Sequence, residues 1–178
     1  PDVLTSSVFA FQDTASIRAH GRLKLVPASH DSIATGLSYR NVVNHPATAF
    51  RKAPILSVGS YEHVPFFEDY YLWLKCRHAG LKFEGVPAPL VYMRRSGVLA
   101  RRHGYSYCIS EFIFAWKAFS SRLISYPSCL VLALRSLSRL LPAWCQSLQD
   151  YLPWRDRLAS SLNPDITVPH SSDPLRPI

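Results

Sequence analysis

The sequence lacks the cysteine spacing of a redox or zinc-binding domain. Its four cysteines are widely separated and form no C-x-x-C pair; they are Cys76, Cys108, Cys129 and Cys145. This spacing favours reduced thiols in a cytosolic protein over a disulfide framework or a zinc site.

A long apolar run is also missing. A membrane-spanning helix needs roughly 18 consecutive apolar residues, and the longest uncharged stretch near the C-terminus, Leu123 to Leu134, is interrupted by Pro127. We therefore expect no segment that spans a bilayer. Because the chain starts at Pro1 instead of Met and enters a strand-like segment at once, we also expect a fragment of a longer protein.

Glycine is scarce, with seven glycines against fourteen prolines. Charged residues make up 18% of the chain and hydrophobic residues 48%, which excludes the disordered and fibrous classes. A chain of 178 residues can bury a sizeable core in one domain. The last prolines predict a disordered Pro-rich tail over residues 161–178; they are Pro164, Pro169, Pro174 and Pro177.

Acidic residues are fewer than basic ones, 12 against 20, and the basic excess lies in the second half. Residues 91–178 carry 11 basic and 5 acidic groups, whereas residues 1–90 carry 9 and 7. Such a field suits phosphate groups, nucleic acid or an anionic membrane surface without choosing among them.

Hydrophobic periodicity predicts an α/β fold in which strands alternate with helices. The predicted strands are Val3 to Phe11, Leu23 to Val26, Ala47 to Arg51 and Lys82 to Arg95. The predicted helices are a short one after Ser29, a turn over Lys52 to Val58, and then Glu68 to His78, Arg101 to Ser121 and Leu130 to Leu158. We expect one mixed sheet with the Glu68 to His78 helix packed on it. Apolar residues cover nearly every face of that helix, so it should be buried between layers.

The last predicted helix has an apolar stripe at steps of three and four residues; its members are Leu130, Leu134, Leu137, Leu141, Trp144, Leu148 and Tyr151. Pro142 should kink this helix. Basic residues flank the stripe at Arg135, Arg139, Arg155 and Arg157. The pattern predicts an amphipathic extension over residues 122–160 that contacts an anionic membrane or a partner helix.

One stretch, Asn44 to Gly97, carries specific motifs. They are Asn44-His45-Pro46 leading to Phe50-Arg51-Lys52, then Gly59-Ser60-Tyr61, and then Phe67-Glu68-Asp69-Tyr70-Tyr71-Leu72-Trp73-Leu74. In order and spacing this stretch resembles the acceptor-side half of a family 2 glycosyltransferase of the inverting GT-A fold, whose E-D-x-x-L-W motif the last piece matches. The resemblance covers roughly residues 1–120 and assigns residues 1–121 to the acceptor-side part of such a domain.

Members of that family hold Mg²⁺ or Mn²⁺ through an Asp-x-Asp motif in a nucleotide-binding half, and no Asp-x-Asp occurs here. The resemblance therefore implies that the divalent metal belongs to the full-length enzyme, that its ligands are not in this chain, and that this chain alone is inactive. The family's Gln-x-x-Arg-Trp motif of processive enzymes is also missing, which favours the addition of a single sugar.

The resemblance makes Asp69 the catalytic base. Sugar transfer with inversion needs a carboxylate that takes the proton of an acceptor hydroxyl while the nucleotide diphosphate leaves from the opposite face. A helix N-terminus offers such a position and keeps the carboxylate ionised. From the residues alone, Asp69 or Glu68 could instead cap a buried helix.

Further donor-site or acceptor-site candidates are Glu68, His45, Tyr92, Arg94 and Arg95. A histidine before proline is more often structural, and the basic segment after Tyr92 could equally be a solvated loop. Its place resembles the family's loop over the donor diphosphate, and Arg101-Arg102-His103 continues the basic cluster.

The expected function is transfer of a sugar from a nucleotide-sugar donor to a saccharide or lipid-linked acceptor, in polysaccharide or glycan biosynthesis. The expected location is the cytoplasm, at or near the cytoplasmic membrane face, with peripheral membrane contact and no nucleic-acid partner. The alternatives are a basic nucleic-acid-binding module and a non-catalytic peripheral membrane protein.

Overall fold

A computed structural model describes residues 1–11, 22–94, 104–137 and 140. Its sheet is built around the first strand, β1 (Val3–Phe11). Along one edge β1 pairs in parallel with β4 (Phe83–Arg94). Along the other edge it pairs antiparallel with β3 (Thr48–Phe50) near its start and with β2 (Arg22–Lys24) near its end. The sheet is therefore mixed, as the sequence predicted.

The parallel pair is irregular where the prolines lie. The register of β1 against β4 shifts on both sides of Ser7, whose partner is Pro89. Proline has no N–H to give to the ladder, so it is confined to bulges and edges. Farther back in β4, the backbone of Gly85 approaches Pro27 so closely that a Cβ would lie 2.0 Å from the Pro27 carbonyl oxygen. Only glycine fits at that position.

Five helices accompany the sheet in the described residues. They are α1 (His30–Gly36), α2 (Lys52–Ser57), α3 (Glu68–His78), α4 (Tyr105–Ser120) and α5 (Tyr126–Leu137). The Ser29 side chain caps α1 by accepting from Ser32 N. A short 3₁₀ turn, His45–Ala47, leads into β3.

The core is centred on α3, which is buried on every side as predicted. The Tyr70 hydroxyl donates to the Leu37 carbonyl oxygen at 2.8 Å. The Tyr71 hydroxyl lies 3.0 Å from the Ser121 hydroxyl at the end of α4. The Trp73 ring lies 6.2 Å from that of Phe50 in β3. Because α3 contacts α1, β3 and α4, its N-terminus is held firmly.

Helices α4 and α5 form a hairpin that packs on α3 through the ring of Phe114, 4.7 Å from Tyr70. A buried ion pair joins the two helices, because Arg135 Nε donates to Glu111 Oε1 at 2.7 Å and Glu111 is fully buried. Arg135 Nη1 also donates to the Tyr39 carbonyl oxygen. Among the residues described, no helix is both long and apolar enough to cross a membrane.

The other side of this hairpin exposes large apolar residues to solvent, and we call it the hairpin face. Its members are Tyr105, Ile109, Phe112, Ile113, Trp116, Tyr126, Leu130, Val131, Leu134 and Leu137. The rings of Trp116, Phe119 and Tyr126 form a chain between the two helices, with centroids 6.1 and 6.2 Å apart.

Most element predictions are confirmed, with Val3–Phe11 and Glu68–His78 correct at both ends. The second strand lies at Arg22–Lys24, not at Leu23 to Val26, because Val26 leaves the sheet and its N–H bonds to the Ser7 hydroxyl. Helix α5 begins at Tyr126, earlier than predicted, since proline is tolerated in a first helical turn. The flanking role assigned to Arg135 is wrong, because its guanidinium turns inward to Glu111. Apart from Leu140, the predicted helix beyond Leu137 lies outside the described residues, as do its kink at Pro142 and the Pro-rich tail.

Candidate functional site

Asp69 is the second residue of α3, and its side chain is half-buried. The N-cap residue of α3 is Phe67, which makes no side-chain cap hydrogen bond. Asp69 Oδ1 accepts from the N–H of Tyr70 at 2.7 Å, so the carboxylate satisfies one free donor of the first turn. Neither acidic residue occupies the cap position itself, and Asp69 keeps a partly exposed carboxylate at a positive helix end.

A second hydrogen bond reaches Asp69 from a distant part of the chain. Asn41, in the segment after α1, donates from Nδ2 to Asp69 Oδ2 at 3.0 Å. The Asn41 Oδ1 atom accepts from the N–H of Val43 at 3.2 Å. In the part of the chain that the structure describes, each carboxylate oxygen therefore has one donor, and these two bonds orient the carboxylate.

Tyr61 and His45 form an aromatic cluster with Trp73 of α3. Partial burial, and secondly the negative charge of Asp69, raise the pKa of the Tyr61 hydroxyl above its ordinary value. Tyr61 is therefore protonated at physiological pH. Its ring lies 5.9 Å from that of His45, which in turn lies 6.0 Å from Trp73. The structure thus brings the predicted site residue His45 against α3, the helix whose N-terminus carries Asp69.

The loop of residues 59–65, which carries Tyr61, is fastened to the helices beneath it. Glu62 accepts hydrogen bonds from Lys75 Nζ at 2.8 Å and from Lys117 Nζ at 3.0 Å. These bonds lower the pKa of Glu62. Lys75 also donates to the Ser60 carbonyl oxygen at 2.7 Å. Ser60 and Phe66 both have positive φ, 52° and 68°. Backbone in this conformation persists where its surroundings hold it in place.

The remaining predicted site residues have different surroundings. Glu68 is half-buried, and its side chain makes no hydrogen bond or ion pair with any residue in the described part of the chain. Tyr92 stands opposite Phe9 in the sheet, with ring centroids 5.5 Å apart, and Arg94 stands opposite Phe11. Both lie toward the C-terminal ends of the parallel strands, where open α/β sheets generally bind ligands. Arg95 lies outside the described residues, as do Arg101, Arg102 and His103.

A metal does not fit the residues that the structure describes. Within 1–11, 22–94, 104–137 and 140, no three side chains of His, Cys, Asp or Glu are gathered as a metal site requires. The three cysteines in these ranges, Cys76, Cys108 and Cys129, are free thiols. Burial raises the pKa of the Cys76 thiol to about 11, which makes it unreactive.

Two residues of this site, Asn41 and Tyr61, were not singled out as candidates from the sequence. Asn41 lies 28 positions from Asp69, and no local pattern indicates which distant carboxylate an asparagine will meet. Tyr61 belongs to the recognised Gly59-Ser60-Tyr61 piece, so the motif itself was the available signal.

Comparison with known proteins finds curated relatives among bacterial glycosyltransferases. The chain is 39% identical over 124 residues to a UDP-Gal:alpha-D-GlcNAc-diphosphoundecaprenol beta-1,3-galactosyltransferase of Escherichia coli, a match that covers 68% of this chain and 45% of the relative. It is 31% identical over 142 residues to the amylovoran biosynthesis glycosyltransferase AmsE of Erwinia amylovora, covering 78% of this chain and 52% of the relative. An uncharacterized glycosyltransferase of Haemophilus influenzae is 34% identical over 125 residues, covering 66% and 44%.

No family model matches the chain, and no solved structure matches it. The chain spans about half the length of the curated relatives it matches. Over the part that it spans, the chain is homologous to bacterial glycosyltransferases.

Proposed function

We propose that the full-length protein is an inverting family 2 glycosyltransferase and that this chain is the acceptor-side part of its GT-A domain. It transfers one sugar per reaction from a nucleotide-sugar donor to a saccharide or lipid-linked acceptor. The observation that carries the proposal is the carboxylate of Asp69, held at the N-terminus of a buried helix within the motif that resembles this family. The relatives support it, since one is named for a diphosphoundecaprenol-linked acceptor and another for amylovoran biosynthesis.

In the proposed reaction Asp69 is the general base. The acceptor hydroxyl loses its proton to the carboxylate as its oxygen forms the new glycosidic bond to the anomeric carbon. The bond from that carbon to the nucleotide diphosphate breaks on the opposite face, which inverts the configuration. Partial burial and the negative charge of Asp69 raise the pKa of Tyr61, so its hydroxyl remains protonated. Glu68, one residue earlier, is the second candidate for the base, and His45 is a candidate acceptor contact.

The nucleotide-binding and metal-binding part of the donor site is assigned to the remainder of the full-length protein. A divalent metal, Mg²⁺ or Mn²⁺, would neutralise the leaving diphosphate, but the described residues do not offer ligands for it. Tyr92, Arg94 and Arg95 are proposed contacts of the donor phosphates, because an arginine can pair with phosphate through two hydrogen bonds. The chain of residues 1–178 alone is proposed to be inactive.

We further propose that the hairpin face contacts an anionic membrane surface on the cytoplasmic side. The acidic residue of the hairpin, Glu111, is buried against Arg135, so the described hairpin residues expose no carboxylate. Trp116 and Tyr126 are 61% and 68% exposed, and amphipathic aromatic residues favour the boundary between water and lipid. A lipid-linked acceptor would then reach the site from the same surface.

The catalytic proposal is tested with the full-length protein, a set of nucleotide sugars and saccharide acceptors, including one linked to a lipid diphosphate. We expect metal-dependent transfer of one sugar, and proton NMR coupling constants of the product should report an inverted anomeric centre. Retention of configuration, or polymerisation of the sugar, would contradict it. Metal-dependent transfer by residues 1–178 alone would contradict the assignment of the donor side.

The membrane proposal is tested by sedimentation of the chain with vesicles that contain anionic lipid. Leu134→Ser and Trp116→Ser should each weaken binding several-fold. Leu56→Ser is the matched control, because Leu56 on α2 is 57% exposed, the same fraction as Leu134, and lies outside the hairpin face. Equal binding by all variants, or equal binding by a chain truncated after Ser121, would remove this part of the proposal.

A further inference from the structure

Asn41 holds the Asp69 carboxylate with a defined orientation of its own side chain. The Oδ1 atom of Asn41 accepts from the N–H of Val43, which leaves the Nδ2 group as the end that faces Asp69. An amide nitrogen can only donate, so Asn41 Nδ2 donates a hydrogen bond to Asp69 Oδ2 at 3.0 Å. The turn at residues 41–43 therefore determines which end of the amide meets the carboxylate.

This contact leaves the carboxylate able to accept a proton. Among the described residues each oxygen of Asp69 has one donor, Asn41 on Oδ2 and the Tyr70 N–H on Oδ1, whereas a carboxylate can accept about four hydrogen bonds. A half-buried side chain with lone pairs to spare can still meet an acceptor hydroxyl. An aspartate held by the Tyr70 bond alone could rotate about its side-chain torsion and lose alignment.

We propose that Asn41 is a positioning residue for the reaction, and that it sets the direction in which Asp69 presents its free lone pairs. The inference rests on the proposed function, because it assigns Asn41 a role through the catalytic base. Asn41 itself exchanges no proton. Its contribution is geometric, and a displacement of about 1 Å in a reacting group can cost on the order of a hundredfold in rate.

The test compares substitutions that keep an acceptor for the turn but remove the amide nitrogen that reaches Asp69. Asn41→Asp keeps the shape and an oxygen for the Val43 N–H, and it replaces the amide nitrogen with an oxygen. Asn41→Ser adds no negative charge, and its hydroxyl, which can accept from the Val43 N–H, ends one bond short of the Nδ2 position that donates to Asp69. In the full-length protein we expect the single-turnover rate of both variants to fall about 10- to 100-fold. The KM for the acceptor should change by less than about twofold, because Asn41 is proposed to act on the base and not on the substrate.

The exchanged double variant, Asn41→Asp with Asp69→Asn, separates the stability of the contact from the chemistry of the base. It restores an amide-to-carboxylate hydrogen bond with the partners reversed, so its thermal midpoint should return toward that of the wild type. Its transfer rate should stay as low as that of Asp69→Asn alone, since the carboxylate has left the helix N-terminus. Activity that recovered together with the thermal midpoint would contradict Asp69 as the base, and with it positioning through Asp69.

The outcomes distinguish this inference from the function on which it rests. If the wild type transfers sugar, Asp69→Asn is inactive and the folded Asn41→Ser variant keeps the wild-type rate, positioning by Asn41 is overturned and the function stands. If the wild type transfers no sugar from any nucleotide donor, both are overturned. A low rate in folded Asn41→Ser with unchanged acceptor KM supports the inference.

Discussion

The N-terminal end of α3 and the hairpin face expose different kinds of side chain to solvent. Around Asp69 the side chains at the surface are fixed by directional bonds, from Asn41 to the carboxylate and from Lys75 and Lys117 to Glu62. On the hairpin face the exposed residues are large and apolar, and the buried ion pair of Glu111 and Arg135 lies behind them. The hydrogen bonds around Asp69 hold individual atoms in position, as catalysis requires. The hairpin face instead exposes apolar area without directional bonds, which suits contact with a lipid surface.

Both regions depend on α3, and the largest effect should come from its centre. Trp73 is fully buried between His45 and Phe50. We expect Trp73→Ala to lower the free energy of unfolding by about 3 to 5 kcal/mol. Urea denaturation followed by circular dichroism measures this loss. A change below about 1 kcal/mol would mean that the two regions do not share this core.

The second-largest loss of stability is expected in the hairpin of α4 and α5. Arg135→Ala leaves the carboxylate of Glu111 buried without its guanidinium partner, and we expect a loss of about 3 kcal/mol of stability. The matched control is Arg51→Ala, because the Arg51 side chain is 71% exposed and lies 3.9 Å from Asp2. That exposed pair should contribute less than about 1 kcal/mol. Equal losses of stability in the two variants would show that burial of Glu111 does not strengthen its ion pair with Arg135.

The Glu62 contacts should give the smallest effect, and it should depend on pH. The folded state lowers the pKa of Glu62, so its bonds to Lys75 and Lys117 stabilise the fold above the ordinary glutamate pKa of 4.5. This stability is lost as the pH falls through the lowered value. Glu62→Gln should therefore lower the thermal midpoint slightly at pH 7, by the equivalent of less than about 1 kcal/mol. As the pH falls through the lowered pKa of Glu62, the wild type and the variant should converge. A difference that persists in acid would contradict the assignment.

The sequence predicted the elements whose signals are local. Glu68–His78 has carboxylates in its first turn, basic residues in its last and Gly80 with positive φ beyond it, and both of its ends are correct. The strand predicted over Lys82 to Arg95 is observed as β4, and its register shifts beside Pro89, a local effect of a residue without an N–H.

The parts that could not be predicted depend on contacts between distant residues. Arg135 was read as a cation flanking an apolar stripe, but whether it points to lipid or to Glu111 depends on how α4 and α5 pack. The stripe residues Leu130, Leu134 and Leu137 are exposed in the structure, which a periodic pattern alone does not specify. For the same reason the sequence around Asn41 did not predict its hydrogen bond to Asp69.

The most direct test of Asp69 as the base measures the single-turnover rate and the thermal midpoint of Asp69→Asn and Glu68→Gln in the full-length protein. An amide cannot take the acceptor's proton, so Asp69→Asn should lose about a hundredfold to ten-thousandfold in rate while its thermal midpoint changes by only a few degrees. Glu68→Gln should be milder. An active Asp69→Asn protein, or one that is inactive because it is unfolded, would contradict the assignment and leave Asp69 with a structural role at the start of α3.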